Sequence, residues 1–365
     1  MTASNDDHGT LDGMMRGGLD VDVKKLCIPK EADIATAART IDASYAKIAL
    51  VTDEENRLLG TITDYDIRKA VLQGVPTTET AEKIMNSHPK TIAVGATDAA
   101  VQRMMRKYQV RQLPVVDAER RVCELRLIYE FDASLRYHRN PVLLMAGGLG
   151  TRLRPLTQDC PKPLLKVGEK PILEIILDNF IQQGFEDFFI SVNYKAEMIQ
   201  DYFGDGSRYG IHIRYLREKK RLGTGGALSL LPEGIDEDII VMNGDLLTKV
   251  DFNQLLEGHA CRHADATMCV REYHYQIPYG IVDVDGWEIR DLREKPSYTA
   301  FVNAGIYVIS KDLLPLIPRD TYYDMPQLFE ESRKRGKKTV AFPIREYWMD
   351  VGRMEDFEQA QEDFQ

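Results

Sequence analysis

From Pro141 onward, short apolar runs alternate with amphipathic stretches. Residues 142–145, 187–193, 239–242 and 266–270 are mostly apolar and bounded by polar or glycine positions, the pattern of strands covered on both faces. Between the first two, Ile172, Leu173, Ile176, Leu177 and Phe180 recur at three- and four-residue intervals. This spacing predicts a helix over 172–183, with Gly184 as its stop. Strands alternating with helices predict an α/β domain built on a mixed, mainly parallel sheet with helices on both faces. Ligands of such sheets sit beyond the C-terminal ends of the strands. The turn 147–150 and Asp245 both directly follow predicted strands.

Residues upstream of about 136 follow a different plan. The run 48–53, followed by 58–67, has a counterpart in 115–117 and 121–125. Asp53 and Asp117 lie 64 residues apart, as do Gly60 and Glu124. The preceding stretches 37–41 and 101–105 align at the same offset. An ungapped repeat of a β-α-β unit predicts two copies packed on each other, because neither alone buries much of its apolar face. Pro141 disfavours helix at Asn140 and marks the end of a linker over 137–141. Residues 1–20 are polar with little periodicity and read as a flexible tail. The domains are therefore expected at 21–136 and 142–365.

Composition narrows the function classes. The chain has 365 residues, 44% hydrophobic and 28% charged, enough for two cores. A net charge of −10 argues against a nucleic-acid polymer as partner. No run approaches the roughly 18 apolar residues of a membrane span, so no membrane partner is expected. The N-terminus lacks a signal-peptide core. Five cysteines, odd in number and widely spaced, point to a reducing, cytoplasmic setting. The seven histidines form no cluster of zinc spacing.

The chemistry concentrates after the first strand of the larger domain, in Ala146-Gly147-Gly148-Leu149-Gly150-Thr151-Arg152. Glycine removes the Cβ that would keep backbone N–H groups from a phosphate chain. Arg152 and Lys162 supply positive charge. A P-loop would need Lys-Ser/Thr after its last glycine, which Thr151-Arg152 does not supply. A dinucleotide fingerprint would need glycine where Leu153 stands.

Gly147-Gly148-Leu149-Gly150-Thr151-Arg152-Leu153-Arg154-Pro155-Leu156-Thr157, with Pro161-Lys162-Pro163 downstream, resembles the sugar-1-phosphate nucleotidyltransferases. The resemblance runs from Asn140 to the C-terminus. It continues in family order through Gly223-Thr224-Gly225-Gly226-Ala227, Asn243-Gly244-Asp245, Tyr279-Gly280, Glu294-Lys295-Pro296, Asn303-Ala304-Gly305 and Trp348-Met349-Asp350-Val351-Gly352. It implies a Rossmann-like fold and the reaction NTP + sugar 1-phosphate → NDP-sugar + pyrophosphate. By resemblance, Ala146, Gly147, Gly148, Gly150 and Thr151 cradle the nucleotide, and Gly223, Thr224 and Gly225 form a second loop against the base. Arg152 then holds the leaving pyrophosphate and Lys162 stabilises charge on the α-phosphate. Asp245 and Asp350 bind Mg²⁺, while Tyr279, Gly280, Glu294, Lys295 and Asn303 line the sugar-phosphate side. Glu218 stands where the family places a polar residue against the base. A carboxylate there can accept from guanine N1–H and N2–H, which favours GTP, with UTP, CTP and dTTP left open. No hexapeptide repeat follows Asp350, so no left-handed β-helix acyltransferase domain is expected.

The upstream repeats resemble a cystathionine-β-synthase (CBS) domain pair. In that family a Gly-x-x-Thr/Ser-x-x-Asp run binds adenosine-type nucleotides. Gly60, Thr63 and Asp66 fit it in the first copy. The second copy has Glu124, Leu127 and Glu130 instead. At most one adenine or guanine nucleotide effector site is therefore expected, and a purely structural or dimerising pair is the alternative. A CBS pair ahead of this catalytic domain resembles enzymes of bacterial surface-glycan pathways, including guanylyltransferases, and a homo-oligomer, dimer or higher, is expected. The competing functional reading is a nucleotide-sensing binding protein with a catalytically silent transferase domain.

Overall fold

A computed structural model describes residues 22–128, 131 and 138–364. The chain separates into two compact units, Met1–Arg136 and Tyr137–Gln365. The expected tail 1–20 and Glu130 lie outside the described residues.

The first unit carries its repeat into three dimensions. β1 (Cys27–Pro29), α1 (Ile34–Ala43), β2 (Ile48–Thr52) and β3 (Leu58–Thr63) are followed by α2 (Asp64–Leu72). β4 (Ile92–Ala93), α3 (Asp98–Tyr108), β5 (Gln112–Val116) and β6 (Val122–Leu127) form the second copy. Each copy makes a three-stranded sheet in which the first pair is parallel and the second antiparallel. The two copies join reciprocally. Leu58 N donates to Arg120 O at 2.9 Å, and Val122 N donates to Asn56 O at 3.0 Å. Leu50, Leu58, Val116, Val122, Leu125 and Leu127 form a core shared between copies, which is why one copy alone would leave its apolar face in water.

The second unit is built on a seven-stranded sheet. Its strands are β7 (Val142–Met145), β10 (Asp187–Val192), β11 (His212–Arg217), β12 (Ile239–Asn243), β14 (Ala266–Gln276), β17 (Ser297–Ile309) and β18 (Thr339–Ile344). Their order is β11-β10-β7-β12-β17-β14-β18. β17 runs antiparallel to both neighbours and every other pairing is parallel. Small ribbons accompany it: β8 (Lys166–Val167) with β9 (Lys170–Pro171), β13 (Leu246–Thr248) with β19 (Trp348–Asp350), and β15 (Ile281–Asp285) with β16 (Glu288–Arg293).

Alternate residues of each central strand enter opposite cores. Val142 and Leu144 of β7 join one cluster with Ile240 and Met242 of β12, and Leu143 joins the other with Ile239 and Val241. The first layer is roofed by α4 (Ile172–Gln182), α5 (Ala196–Phe203), α7 (Phe252–Cys261) and α9 (Met354–Asp363), and the second by α8 (Met325–Lys334). Phe180 of α4 stacks on Phe252 of α7 with ring centroids 3.8 Å apart. A short helix α6 (Gly223–Gly226) packs against α8.

Two sequence expectations change here. The strand expected over 266–270 continues to Gln276, because its outer half pairs with β17 beyond the core, where polar and aromatic residues replace the apolar run. Within the linker expected at 137–141, the described residues His138 and Asn140 are tied to the second unit. His138 N donates to Gly184 O at 3.0 Å, its ring stacks on Phe185, and Asn140 Nδ2 donates to Asp238 O at 2.8 Å. Side-chain hydrogen bonds and ring stacking carry no periodic signal, so the sequence did not show them.

Candidate active site

β7 and β12 lie side by side and end together, with Met145 opposite Asn243. Gly244 N donates to Met145 O at 2.9 Å, and a Cβ on Gly244 would meet that oxygen at 2.7 Å. Glycine therefore lets the chain turn tightly from β12 and deliver Asp245 to the same edge as the 147–150 turn. β13 then pairs with β19, Leu246 opposite Asp350, and Val351 N donates to Asp245 O at 3.0 Å. The two carboxylates predicted as metal ligands thus come from the turn that leads into β13 and from its partner strand β19.

Both cations of the predicted set join them. Lys162 is buried, and its Nζ donates to Asp245 Oδ2 at 2.5 Å. Arg152 Nη1 lies 3.6 Å from the position of a Cβ on Gly352, and Asp350 Oδ1 lies 3.3 Å from the same point. Although Asp350 has accessible surface, protein crowds its carboxyl. That burial, followed by the charge of Asp245, pushes its pKa above the ordinary carboxylate value, while Lys162 and Arg152 pull it back.

The glycine turn faces this group. Gly150 is left-handed at φ 61°, and a Cβ there would meet Thr157 Cγ2 at 2.8 Å and Lys162 Cβ at 3.2 Å. Thr157 Oγ1 donates to Gly150 O at 2.8 Å and ties the turn to its own downstream segment. Gly148 is exposed, with nothing within 4 Å of its Cβ position. Ala146 N is paired with Ser191 O. By contrast, the N–H groups of Gly147, Gly148, Leu149 and Gly150 have no acceptor among the described residues. Successive free N–H groups on a glycine turn are an anion-binding arrangement.

Glu218 sits against this turn, its Oε1 2.9 Å from where a Cβ on Gly147 would be. Ser191 Oγ donates to Oε1 and Leu222 N donates to Oε2 at 3.1 Å, while Asn193 Nδ2 holds the Glu218 carbonyl at 3.0 Å. Glu218 is therefore a clamped carboxylate rather than a loose loop charge. Sequence reasoning missed Ser191 and Asn193. The available signal was Ser191, a hydroxyl within the otherwise apolar run 188–192.

The second glycine loop packs closely against the 321–325 segment. Gly225 N and Gly226 N both donate to Tyr323 O at 2.8 Å, and Thr224 N donates to Asp324 Oδ1 at 2.9 Å. A Cβ on Gly223 would meet Asp324 Oδ1 at 2.7 Å. These glycines are required by the close approach of the 321–325 segment, and the N–H groups of Thr224, Gly225 and Gly226 are satisfied inside the protein. The loop still borders the site through Leu222.

The predicted sugar-side residues divide into two places. Asn303 lies on β17, where Oδ1 accepts from Gly305 N at 3.0 Å and Nδ2 donates to Tyr307 Oη at 2.8 Å. Tyr307 was not foreseen; burial pushes its phenol up to about 12, so it stays protonated. Gly305 abuts Asn243, which brings Asn303 toward the β12 end. Tyr279, Gly280, Glu294 and Lys295 form a second group at the root of the β15–β16 ribbon. Gly280 approaches Glu294 Oε2, and Lys295 is left-handed at φ 42°. Lys295 has no carboxylate partner among the described residues, and no hydrogen bond or ion pair among them joins this group to Asp245 or Asp350.

In the first unit, Gly60, Thr63 and Asp66 each have a structural task. A Cβ on Gly60 would meet Met85 Sδ at 2.7 Å. Asp66 Oδ2 accepts from both Thr63 N and Thr63 Oγ1 at 2.8 Å, closing a capping box on α2. In the second copy Leu127 is buried in the shared core.

Comparison with known proteins agrees with this geometry. The family described as "Nucleotidyl transferase" matches residues 141–365, and the CBS domain matches residues 20–73 and 81–124. A D-glycero-alpha-D-manno-heptose 1-phosphate guanylyltransferase of Aneurinibacillus thermoaerophilus is 32% identical over 226 residues, covering 61% of this chain and 97% of that protein. A UTP–glucose-1-phosphate uridylyltransferase of Synechocystis is 31% identical over 238 residues, covering 60% of this chain, and the match spans only 61% of that relative's length. Among solved structures, HddC from Yersinia pseudotuberculosis complexed with GMP-PN aligns with a TM-score of 0.50 at 28% identity, over 62% of this chain and 100% of that one. This chain belongs to the nucleotidyl transferase family, as a homologue of the sugar-1-phosphate nucleotidyltransferases that carries an N-terminal CBS domain pair.

Proposed function

We propose that the chain transfers a guanylyl group from GTP to a sugar 1-phosphate for surface-glycan biosynthesis, releasing pyrophosphate. The observation that carries the reading is the meeting of Arg152, Lys162, Asp245 and Asp350 beside the free N–H groups of 147–150. A phosphate oxygen of the sugar 1-phosphate attacks the α-phosphorus; the new P–O bond forms as the bond to pyrophosphate breaks. The nucleophile is already anionic, so the chain supplies position and charge rather than a strong base. The turn N–H groups bind the triphosphate, with Ala146 and Thr151 flanking them. Arg152 draws the leaving pyrophosphate, and Lys162 neutralises charge at the α-phosphate. Lys295 pairs with the sugar phosphate, and Glu294 and Asn303 meet sugar hydroxyls beside Tyr279 and Gly280.

The Asp245–Asp350 pair suits Mg²⁺. Two crowded carboxylates, one with a pKa raised by burial and then by the charge of the other, form a hard-oxygen donor set that a divalent cation would relieve. Bound there, Mg²⁺ would supply charge neutralisation on the phosphates.

The preference for guanine rests on Glu218, oriented by Ser191 and Leu222 N next to Gly147. The names of the Aneurinibacillus relative and of the Yersinia complex point the same way. Pyrophosphate release measured over a panel of nucleoside triphosphates and sugar 1-phosphates tests the reading. Highest kcat/KM with GTP is expected. Turnover confined to UTP, CTP or dTTP would overturn the base assignment. Absence of turnover with any pair, with unchanged nucleotide binding in Asp245→Asn, would favour the silent binding protein. The five cysteines, all free thiols, support a reducing, cytoplasmic setting.

A further inference from the structure

The segment that follows the phosphate turn is gripped from the end of β10. Between β10 and α5 the chain runs Asn193-Tyr194-Lys195. Lys195 is left-handed at φ 50°, an uncommon conformation for a residue with a Cβ. Its Nζ donates to Gln158 O at 2.8 Å. Tyr194 Oη lies 3.2 Å from the same oxygen and 3.4 Å from Thr157 O. Neither carbonyl meets another hydrogen-bond donor among the described residues. Lys195 has no carboxylate partner among them, and its Nζ lies over the Tyr194 ring at 5.5 Å, so the two side chains brace each other.

We propose that Tyr194 and Lys195 are positioning residues for the nucleotide. By holding the carbonyls of Thr157 and Gln158 they keep Thr157 seated against Gly150, and through it the turn in its anion-binding shape. The relay is short. Thr157 is buried, its Oγ1 donates to Gly150 O at 2.8 Å, and its Cγ2 lies 2.8 Å from the Cβ position of Gly150. Residues 154–161 belong to no helix or strand, and the backbone bond from Gln158 N to Pro155 O spans a single turn. No backbone ladder therefore fixes this segment, and side-chain bonds to its carbonyls carry more of its order. The bonds of Tyr194 and Lys195 go to protein oxygens, so they act on the nucleotide through the turn rather than by touching it. The inference rests on the proposed binding of the triphosphate at 147–150.

Tyr194→Phe/Lys195→Met removes both donors and keeps the ring and the aliphatic stem. Calorimetry of the full chain with GTP and with inorganic tripolyphosphate reads the turn, the second probe independently of the base. The double variant should melt at the wild-type temperature and bind both probes ~10-fold more weakly, as for loss of one charge-assisted hydrogen bond. In turnover the nucleotide KM should rise by the same factor with kcat held within about threefold, because the lost binding is shared by ground and transition states. Lys195→Met alone should show part of the loss, and Lys195→Arg, which keeps a charged donor, none. In a Thr157→Val background the double variant should add no further loss, because the relay is already cut. Equal affinities in wild type and double variant overturn the proposal and leave the functional reading intact. Losses that multiply with that of Thr157→Val also overturn it, as does a fall in kcat in place of the rise in KM. A lowered melting temperature with an equal rise in the KM for sugar 1-phosphate would mark a merely structural role and overturn it too. A wild type that binds neither probe removes the proposal and the reading together.

Discussion

Asp350 carries a carboxyl whose ionised form costs stability. Burial, followed by the Asp245 charge, raises its pKa in the folded protein. A carboxyl raised on folding stabilises the fold while protonated, and that contribution disappears as pH rises through the folded pKa. The ionised form is therefore a burden, and, on the proposed metal role, acidification through the raised pKa should weaken Mg²⁺ binding by protonating a ligand. Asp350→Asn should melt at or above the wild-type temperature at pH 7 while kcat falls at least ~100-fold, by loss of a charge acting in the transition state. A melting temperature lower by more than several degrees would contradict this account. Glu218 makes a separate prediction. Glu218→Gln removes a charged acceptor from the proposed guanine contact, a loss of about 1.5–3 kcal/mol. The kcat/KM for GTP should fall ~10- to 100-fold, with UTP changed much less; equal losses for both would remove Glu218 from base selection.

At the scale of the element, the phosphate turn separates two uses of glycine. Gly150 is left-handed and packed against Thr157 and Lys162, so Gly150→Ala should cost about 1–2 kcal/mol from backbone conformation alone, before any clash. Calorimetric melting should fall by several degrees. Gly148 is not left-handed and its Cβ position is open. Gly148→Ala should leave melting unchanged and raise the KM for the nucleotide roughly 10-fold, because the new methyl occupies the approach of the phosphates. Reversal of the two phenotypes would show that the triphosphate lies elsewhere. The 223–226 loop illustrates the same distinction. Its glycines resemble nucleotide contacts in the sequence, and the N–H groups of Gly225 and Gly226 and the Cβ position of Gly223 meet Tyr323 and Asp324.

At the scale of the whole molecule, the first unit raises the question of regulation. Its repeat is closed by reciprocal hydrogen bonds between Leu58, Arg120, Val122 and Asn56, which serve architecture without any ligand. We propose at most one nucleotide site there, around Gly60, Thr63 and Asp66. Since Asp66 also caps α2, the informative substitution is Asp66→Asn, which keeps an acceptor for Thr63 and removes the charge. Calorimetry with adenine and guanine nucleotides should show one site beyond the active site in wild type and none in Asp66→Asn, with basal turnover retained. Equal binding in both proteins would place the effector elsewhere or leave the unit purely structural.

Periodicity and motif were sufficient for the α/β fold, the 64-residue repeat and the edge at which 147–150 and Asp245 meet, because burial on one or both faces writes itself into local spacing. The resemblance also pointed to Arg152, Lys162 and Asp350, which the fold brings near Asp245. Only tertiary structure decided that Lys162 grips Asp245, that Ser191 and Leu222 aim Glu218 at the turn, and that Tyr323 and Asp324 occupy the second glycine loop. Those contacts join residues 27 to 100 positions apart or depend on a single backbone N–H, and neither leaves a periodic trace. The same holds for the β15–β16 ribbon. Ile289 and Leu292 lie three positions apart, and only the register shift between Asp283 and Val284 brings them to one face with Val282 and Val284.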